Sequence, residues 1–421
     1  MEAYSEYKDS DVPWIGEIPT DWAVEKTKYQ FEIRKRQVKH DEQTILSITQ
    51  EGIRPKDVSH NEGQMAKTYD GYQEVHSGDF AMNSMDLLTG WVDLSVHDGL
   101  TSPDYRVFAP LFPESMEANY YRYVFQLLYS RRIYYKYGQG VSNLGRWRLQ
   151  AATFQNFPLP KPPVDEQREI VKYLDSKTAE IDGVVDGLLR QHELLERYKR
   201  ELIAHTVTKG LDPEAPMKES GLQWIGEIPS SWKLLRIGTL YDQRSTKVSD
   251  SEFPPLSVTM KGVLPQLENV AKTNDRDNRK LIRAGDFVIN SRSDRRGACG
   301  VADRDGSCSL INIVLEPQQS IFNPYFSYLF RSHLFADEFY KWGHGIVDDL
   351  WTTNWDDMKK IRVPIPSYYE QQLIADYLDS KTAEIDGLIT DLDRQVELLG
   401  RYRKQVINDV VTGKVRVSEE A

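Results

Sequence analysis

The chain has only two cysteines, Cys299 and Cys308, among its 421 residues. That excludes a disulfide-stapled scaffold and suits two ordinary thiols in a reducing compartment. Its eight histidines are scattered without metal-ligand spacing, so no metal centre is expected. No apolar run approaches bilayer length. The opening Met1-Glu-Ala-Tyr-Ser-Glu-Tyr-Lys8 has neither the basic nor the apolar region of a secretion signal, so a cytoplasmic location is expected. No Walker lysine motif is present, and no glycine-rich cofactor loop follows a strand. A basic excess is missing too: 53 Lys and Arg face 64 Asp and Glu, a net charge of −11. At first sight that opposes a polyanionic partner.

What the chain does have is itself, twice. Trp14-Ile-Gly-Glu-Ile-Pro19 returns as Trp224-Ile-Gly-Glu-Ile-Pro229, and Gly78-Asp79-Phe80 as Gly285-Asp286-Phe287. Residues 166–208 return as 370–412 with 25 of 43 positions identical, including Asp175-Ser-Lys-Thr-Ala-Glu-Ile-Asp182 and Asp379-Ser-Lys-Thr-Ala-Glu-Ile-Asp386. The stretches between match only sparsely. Residues 20–160 hold 16 basic against 17 acidic side chains, and residues 232–364 hold 19 against 17. The acidity therefore lies in the repeated frame and the N-terminal arm, and an anion-binding face in the divergent segments must be a local cluster.

The repeated blocks carry heptads. Leu174, Ile181, Leu188, Leu195 and Leu202 fall every seven residues, as do Leu378, Ile385, Leu392, Leu399 and Val406. Such a stripe predicts two coiled-coil helices, each on the order of 60 Å long. His192 falls at a partner position and reads as an interhelical packing residue. Gly183 and Gly387 interrupt both helices at the same place, marking either a close helix approach or a tolerated local break. In the divergent segments, 44–49, 286–290 and 310–315 read as strands. Aromatic-rich helices are predicted over 120–137 and 325–342, each meeting a Gly-x-Gly turn at Gly138 or Gly343. Pro158-Leu-Pro160 and Pro364-Ile-Pro366 then lead, extended, into the long helices.

In this order and twice over, these motifs resemble the specificity subunits of type I restriction–modification systems, across essentially the whole chain. The resemblance implies α/β (α+β) target-recognition domains in tandem duplicate, joined by two long antiparallel coiled-coil helices with pseudo-twofold symmetry. The boundaries are 1–160 for the first recognition domain, 161–210 for the first helix, 211–364 for the second domain, and 365–421 for the second helix and tail. It implies a non-catalytic DNA-specificity subunit, each domain reading one half of a bipartite asymmetric double-stranded target. The helices would set the half-site spacing and dock two methyltransferase subunits, through a packing seam of Leu174, Ile181, Leu188, Leu195, Leu378, Ile385, Leu392 and Leu399. No cofactor is expected on this chain. S-adenosylmethionine belongs on the methyltransferase partners, with ATP and magnesium on restriction subunits, whose presence stays open. The alternative is a coiled-coil scaffold whose side domains bind protein or another ligand.

Base reading needs Arg, Lys, Asn or Gln presented to a groove. Asn290, Arg292, Arg295 and Arg296 cluster directly after a strand, the competing role being a solvated loop paired with Asp294 and Asp303. The aligned loop in the first unit begins Asn83-Ser84 and has no arginine up to Gly90. Ser142, Asn143, Arg146 and Arg148 form a further candidate beside Trp147, which, like Trp351, reads as a core anchor. Lys26, Lys28, Arg34, Lys35 and Arg36 read as a solvated helix face, the competing role being phosphate contact. Asn323-Pro-Tyr-Phe326 looks superficially like a methyltransferase adenine loop, but lacks the second proline and reads as a helix start with Asn323 as its cap.

Overall fold

The computed structural model describes residues 3–37, 44–56, 69–140, 147–266, 276–318, 321–345 and 351–417. They form two units, residues 1–188 with 395–421, and residues 189–394. The division falls inside the long helices. Each helix contributes one stretch to each unit: Val164–Lys209 has 46 residues and Tyr368–Val411 has 44.

Both units are built on the same antiparallel sheet. In the first unit the strand order is Phe31–Arg34, Arg106–Pro110, Phe80–Met82, Val92–Leu94. In the second it is Tyr241–Gln243, Asn312–Pro317, Phe287–Asn290, Cys299–Val301. The Gly-Asp-Phe motif makes the turn into the third of these strands. Gly78 and Gly285 both take φ +91, open to glycine. Asp79 then accepts from the His76 N–H at 2.9 Å and pairs with Arg36 at 2.5 Å. Asp286 accepts from the Arg283 N–H at 2.8 Å and from Arg244 Nε at 2.7 Å. Phe80 and Phe287 enter the two main cores.

The proline approaches are strands. Pro158–Lys161 pairs with Ala23–Lys26, and Arg362–Ile365 with Lys233–Arg236. The Glu-Gln block that follows acts as a clasp. Trp22 Nε1 donates to Glu166, and Trp232 Nε1 to Glu370, both at 2.9 Å. Gln167 Oε1 accepts from the Glu117 N–H and Gln371 Oε1 from the Phe322 N–H, again both at 2.9 Å. These glutamines thus satisfy backbone donors just before the aromatic-rich helices begin. Tyr120 and Tyr325, inside those helices, donate to the carbonyls of Val411 and Val207 at 2.9 and 3.0 Å. One end of each long helix is thereby tied into a core, with Val406, Val410 and Val411 buried in the first unit and Val207 in the second.

The Ser-Lys-Thr-Ala-Glu-Ile-Asp block has two faces. Its threonine side meets the globular part: Tyr123 OH donates to Asp175 and Tyr328 OH to Asp379, both at 2.6 Å, with Thr178 and Thr382 beside them. Burial and then the bond to Asp379 push the Tyr328 phenol up to about 12. Its last aspartate crosses to the other helix, Asp182 to Arg403 at 2.9 Å in the first unit and Asp386 to Lys199 in the second. His192 makes a 3.0 Å hydrogen bond to Asp393, a polar contact where packing was expected. In the second unit these contacts run in opposite chain directions, so the two helix stretches there are antiparallel.

Of the heptad residues, Leu174, Ile181, Leu378, Ile385 and Leu392 are buried, while Leu188, Leu195 and Leu399 are half-buried. A two-helix seam cannot cover its own middle as a globular core does. Neither reading of Gly183 and Gly387 holds: both helices run on unbroken, and a Cβ at either glycine would meet nothing within 4 Å.

The aromatic helices are shorter than the sequence suggested. The first, Ala118–Ser130, ends before Arg132 at φ 54. The second is two helices, Asn323–Arg331 and His333–Lys341, divided at Ser332, whose hydroxyl caps the latter. Asn323 is not a cap. Its amide bridges Tyr241 OH and the Gly285 carbonyl, while the first helix takes its cap from Glu117.

Candidate nucleic-acid interface

At the same end of each central sheet lies an open cleft. That of the second unit, of about 400 Å³, is lined by Asn290, Asn312, Arg279, Arg292, Asp294, Arg295 and Gln266 among others. Asn290 and Asn312 face each other in register on adjacent strands and are both buried. Asn290 Oδ1 is engaged locally, accepting from the Arg292 N–H at 3.0 Å. Asn312 Oδ1 is buried without a partner, a costly state for an amide. Arg279 donates to Ser307 Oγ at 2.9 Å and to its carbonyl at 3.2 Å.

The arginine loop divides its cations. Arg295 is exposed on the cleft, and Arg292 lines it while pairing with Asp294 at 3.1 Å. Arg296 turns away to Asp337 at 3.2 Å and lies over the Tyr340 ring. Asp303, the other expected counter-charge, pairs with Arg304 instead.

The cleft of the first unit, about 280 Å³, is lined by Lys35, Gln37, Gln73, Ser84, Tyr105 and Arg106, with Ile33, Pro103 and Ala151 and no carboxylate. Ser84 Oγ is spent on the Asp104 carbonyl at 3.3 Å. Asn83 closes its own turn, its Oδ1 accepting from the Met85 and Asp86 N–H groups. Asp86 in turn accepts from Thr89 and Leu88, and those bonds hold its carboxyl below the usual range against the opposing effect of burial. This loop is a self-capped acidic turn, the opposite of its arginine-bearing counterpart.

The basic run of the first unit starts at the end of the strand Ala23–Lys26, crosses the short helix Thr27–Gln30 and the strand Phe31–Arg34, and ends just beyond it, so it does not form one solvated helix face. Arg36 is committed to Asp79 and Lys35 reaches the cleft. Ser142, Asn143 and Arg146 lie outside the described residues. Arg148 is exposed, and its backbone pairs with Gln139. Trp147 is half-buried with Nε1 donating to the Tyr135 carbonyl at 2.7 Å. A Cβ on Gly138 would come within 2.3 Å of that indole nitrogen, which explains the first glycine of the Gly-x-Gly turn.

Sequence reasoning missed Arg106, Arg279, Asn312 and Gln266. The first two carry a signal, each being a charged residue heading a strand otherwise buried, Arg106-Val-Phe-Ala and Arg279-Lys-Leu-Ile. Among the described residues no group of His, Cys, Asp and Glu could hold a metal, and no helix is long and apolar enough to cross a membrane. What the clefts offer is hydrogen-bond donors and positive charge, suited to a polar anionic ligand.

A second set of surfaces lies on the long helices. The first unit exposes Val184, Leu398 and Tyr402, and the second exposes Leu388, Leu194 and Tyr198. These are the same three repeat positions, so each unit presents one copy of the same apolar set.

Residues 229–398 match the type I restriction modification DNA specificity domain. A putative type I restriction enzyme MjaX specificity subunit of Methanocaldococcus jannaschii is 23% identical over 443 residues, covering 96% of each chain. The MjaVIII specificity subunit of the same organism is 26% identical over 286 residues, 63% of each chain. In fold, the chain is similar to one solved in a study of complex assembly and conformational transition of the type I R-M system. The TM-score is 0.70 at 16% identity, covering 94% of this chain and 99% of that one. It is also similar to the HsdS subunit from Thermoanaerobacter tengcongensis, with a TM-score of 0.53 at 16% identity, covering 94% and 98%. Motifs, fold and relatives agree: residues 229–398 match a type I restriction DNA specificity domain, and the chain as a whole is similar to the specificity subunits of type I restriction–modification systems.

Proposed function

We propose that this non-catalytic subunit reads a bipartite, asymmetric double-stranded DNA target, one half with each cleft. The observation that carries the reading is charge placed against the trend of the chain. In a protein of net charge −11, one cleft is lined by three arginines and a single aspartate. The other is lined by an arginine, a lysine and no acid. Cations hold phosphates, and amides with guanidinium groups read base edges. Because the two clefts share a place in the fold but not their side chains, they would read different words.

The long helices serve assembly. Each extends from one unit into the other, and in this proposal they fix the half-site separation, of the order of a helical turn of about 34 Å. Their twice-presented apolar set suits two copies of one partner, the methyltransferase subunits, on which S-adenosylmethionine would be bound. Restriction subunits, where present, would bring ATP and magnesium.

The test is binding by the subunit assembled with its methyltransferase, on duplexes carrying the motif found by mapping methylated adenines in a host with this gene. Binding should fall steeply with salt and should disappear on a scrambled duplex. Equal binding to scrambled duplex would sink the proposal in favour of a protein-binding scaffold.

A further inference from the structure

The guanidinium of Arg106 is a buried charge with no acidic partner among the described residues. The residue is 8% exposed. One amine nitrogen donates to the Leu149 carbonyl at 2.8 Å, and the other has only Met82 Sδ at 3.7 Å. The planar group lies over the Phe154 ring at 4.7 Å. These partners include no carboxylate, and burial pulls its pKa down. A buried charge without a counter-charge is ordinarily too costly to keep. Here it borders the first cleft, and the carbonyl and the ring fix the plane of the fork.

The second unit does not repeat this arrangement. Arg106 stands opposite Met82 in the sheet. The corresponding place opposite Ile289 is Ile313, which is buried. The buried arginine of the second cleft, Arg279, comes instead from the strand Arg279–Ile282. A core requirement would have kept the residue in register with the rest of the frame. A ligand requirement that differs between the clefts would move it.

We propose that Arg106 is a direct DNA contact of the first cleft, its fork donating two hydrogen bonds to a pair of acceptors of negative potential on DNA. This rests on the DNA-reading function proposed above. Two parts of DNA present such a pair, the O6/N7 edge of a guanine and two oxygens of one phosphate. Either requires the planar fork, which lysine cannot supply.

The experiment uses the assembled methyltransferase complex, wild type and carrying R106K or R106Q, with melting temperature and subunit stoichiometry checked first. R106K keeps the charge and most of the stem, so it decides the matter if R106Q fails to assemble. Expected is a tenfold to hundredfold loss of affinity, of the order of one bidentate contact, confined to one half-site. Duplexes with single 7-deazaguanine or methylphosphonate substitutions then identify the source. If a guanine is read, one 7-deazaguanine weakens wild type and no longer matters in R106K. If a phosphate is held, one methylphosphonate behaves that way and the mapped motif stays unchanged. Folded R106K with wild-type affinity, salt slope and motif overturns the inference. A wild-type complex with no bipartite target fails the underlying function instead, so the two failures are distinct.

Discussion

The clasps and the clefts of this molecule have had the same history of duplication and opposite outcomes. The clasps repeat to within about a tenth of an ångström: tryptophan to glutamate, glutamine to backbone, tyrosine to the last turn of a helix. The clefts keep their place in the sheet and change what lines it. Asn312 aligns with Tyr105, Ile313 with Arg106, and an arginine loop with an acidic turn. Buried hydrogen bonds that join two elements are costly to alter singly, so the clasps resist drift. Cleft side chains answer to whatever fills the cleft, and this pair has drifted apart.

The comparison breaks most visibly at the tryptophans. Trp22→Ala and Trp232→Ala each remove a fully buried ring and the partner of a glutamate, so each should cost about 3–5 kcal/mol. Denaturant titration should find the two costs alike, and a cost in only one unit would mean the clasps are not equivalent. Next come the exposed apolar sets. If these sets dock the methyltransferase as proposed, Leu398→Asp with Tyr402→Asp, or Leu194→Asp with Tyr198→Asp, should weaken one such contact by about 2–4 kcal/mol. Mass measurement of the complex should then show one such subunit instead of two, whichever unit is altered.

Arg292→Ala with Arg295→Ala should cost about 1–3 kcal/mol in DNA binding and relax recognition in one half-site alone, read by mapping methylation. Tyr120→Phe and Tyr325→Phe should each lower stability by about 1 kcal/mol, again equally. Smallest is Gly183→Ala or Gly387→Ala. With open space around both positions, each should raise the melting temperature of the free subunit, by roughly 0.5–1 kcal/mol of stability. A loss of stability would show that the open space is not real.

The buried thiols offer a check on the second unit alone. Burial pushes Cys299 up to about 12 and Cys308 up to about 11. Both should resist alkylation at neutral pH until the chain unfolds. Above the ordinary thiol value of 9.0, the unfolded chain ionises first, so this contribution to stability declines as pH rises.

Much of the frame could be read from sequence because its signals are local and periodic. The heptads placed the helices within a few residues, at Val164–Lys209 and Tyr368–Val411. The Gly-Asp-Phe and Pro-x-Pro motifs announced turns and strands. The Ser332 break was hidden in a continuous aromatic run, where only a hydroxyl at the right spacing marks a new helix start. The clefts were half legible. Arg292 and Arg295 sit in a loop whose composition speaks for itself, whereas Arg106 and Asn312 reach their cleft from buried strands through pairings distant in sequence. Asn290 and Ser84 line the clefts with one oxygen engaged locally, and Asn83 closes its own turn, details that composition alone does not carry.

One arrangement bears on how the protein comes into being. The core of the first unit includes Val406, Ile407, Val410 and Val411, and Tyr120 waits on a carbonyl of residue 411. The second unit draws only on residues 189–394. As the chain leaves the ribosome, the second unit has everything it needs while the first still exposes an unfilled aromatic core. The unit that is synthesised first is therefore the last to be finished. A released chain ending at Arg394 should be protease-resistant in its later half and vulnerable in its earlier one.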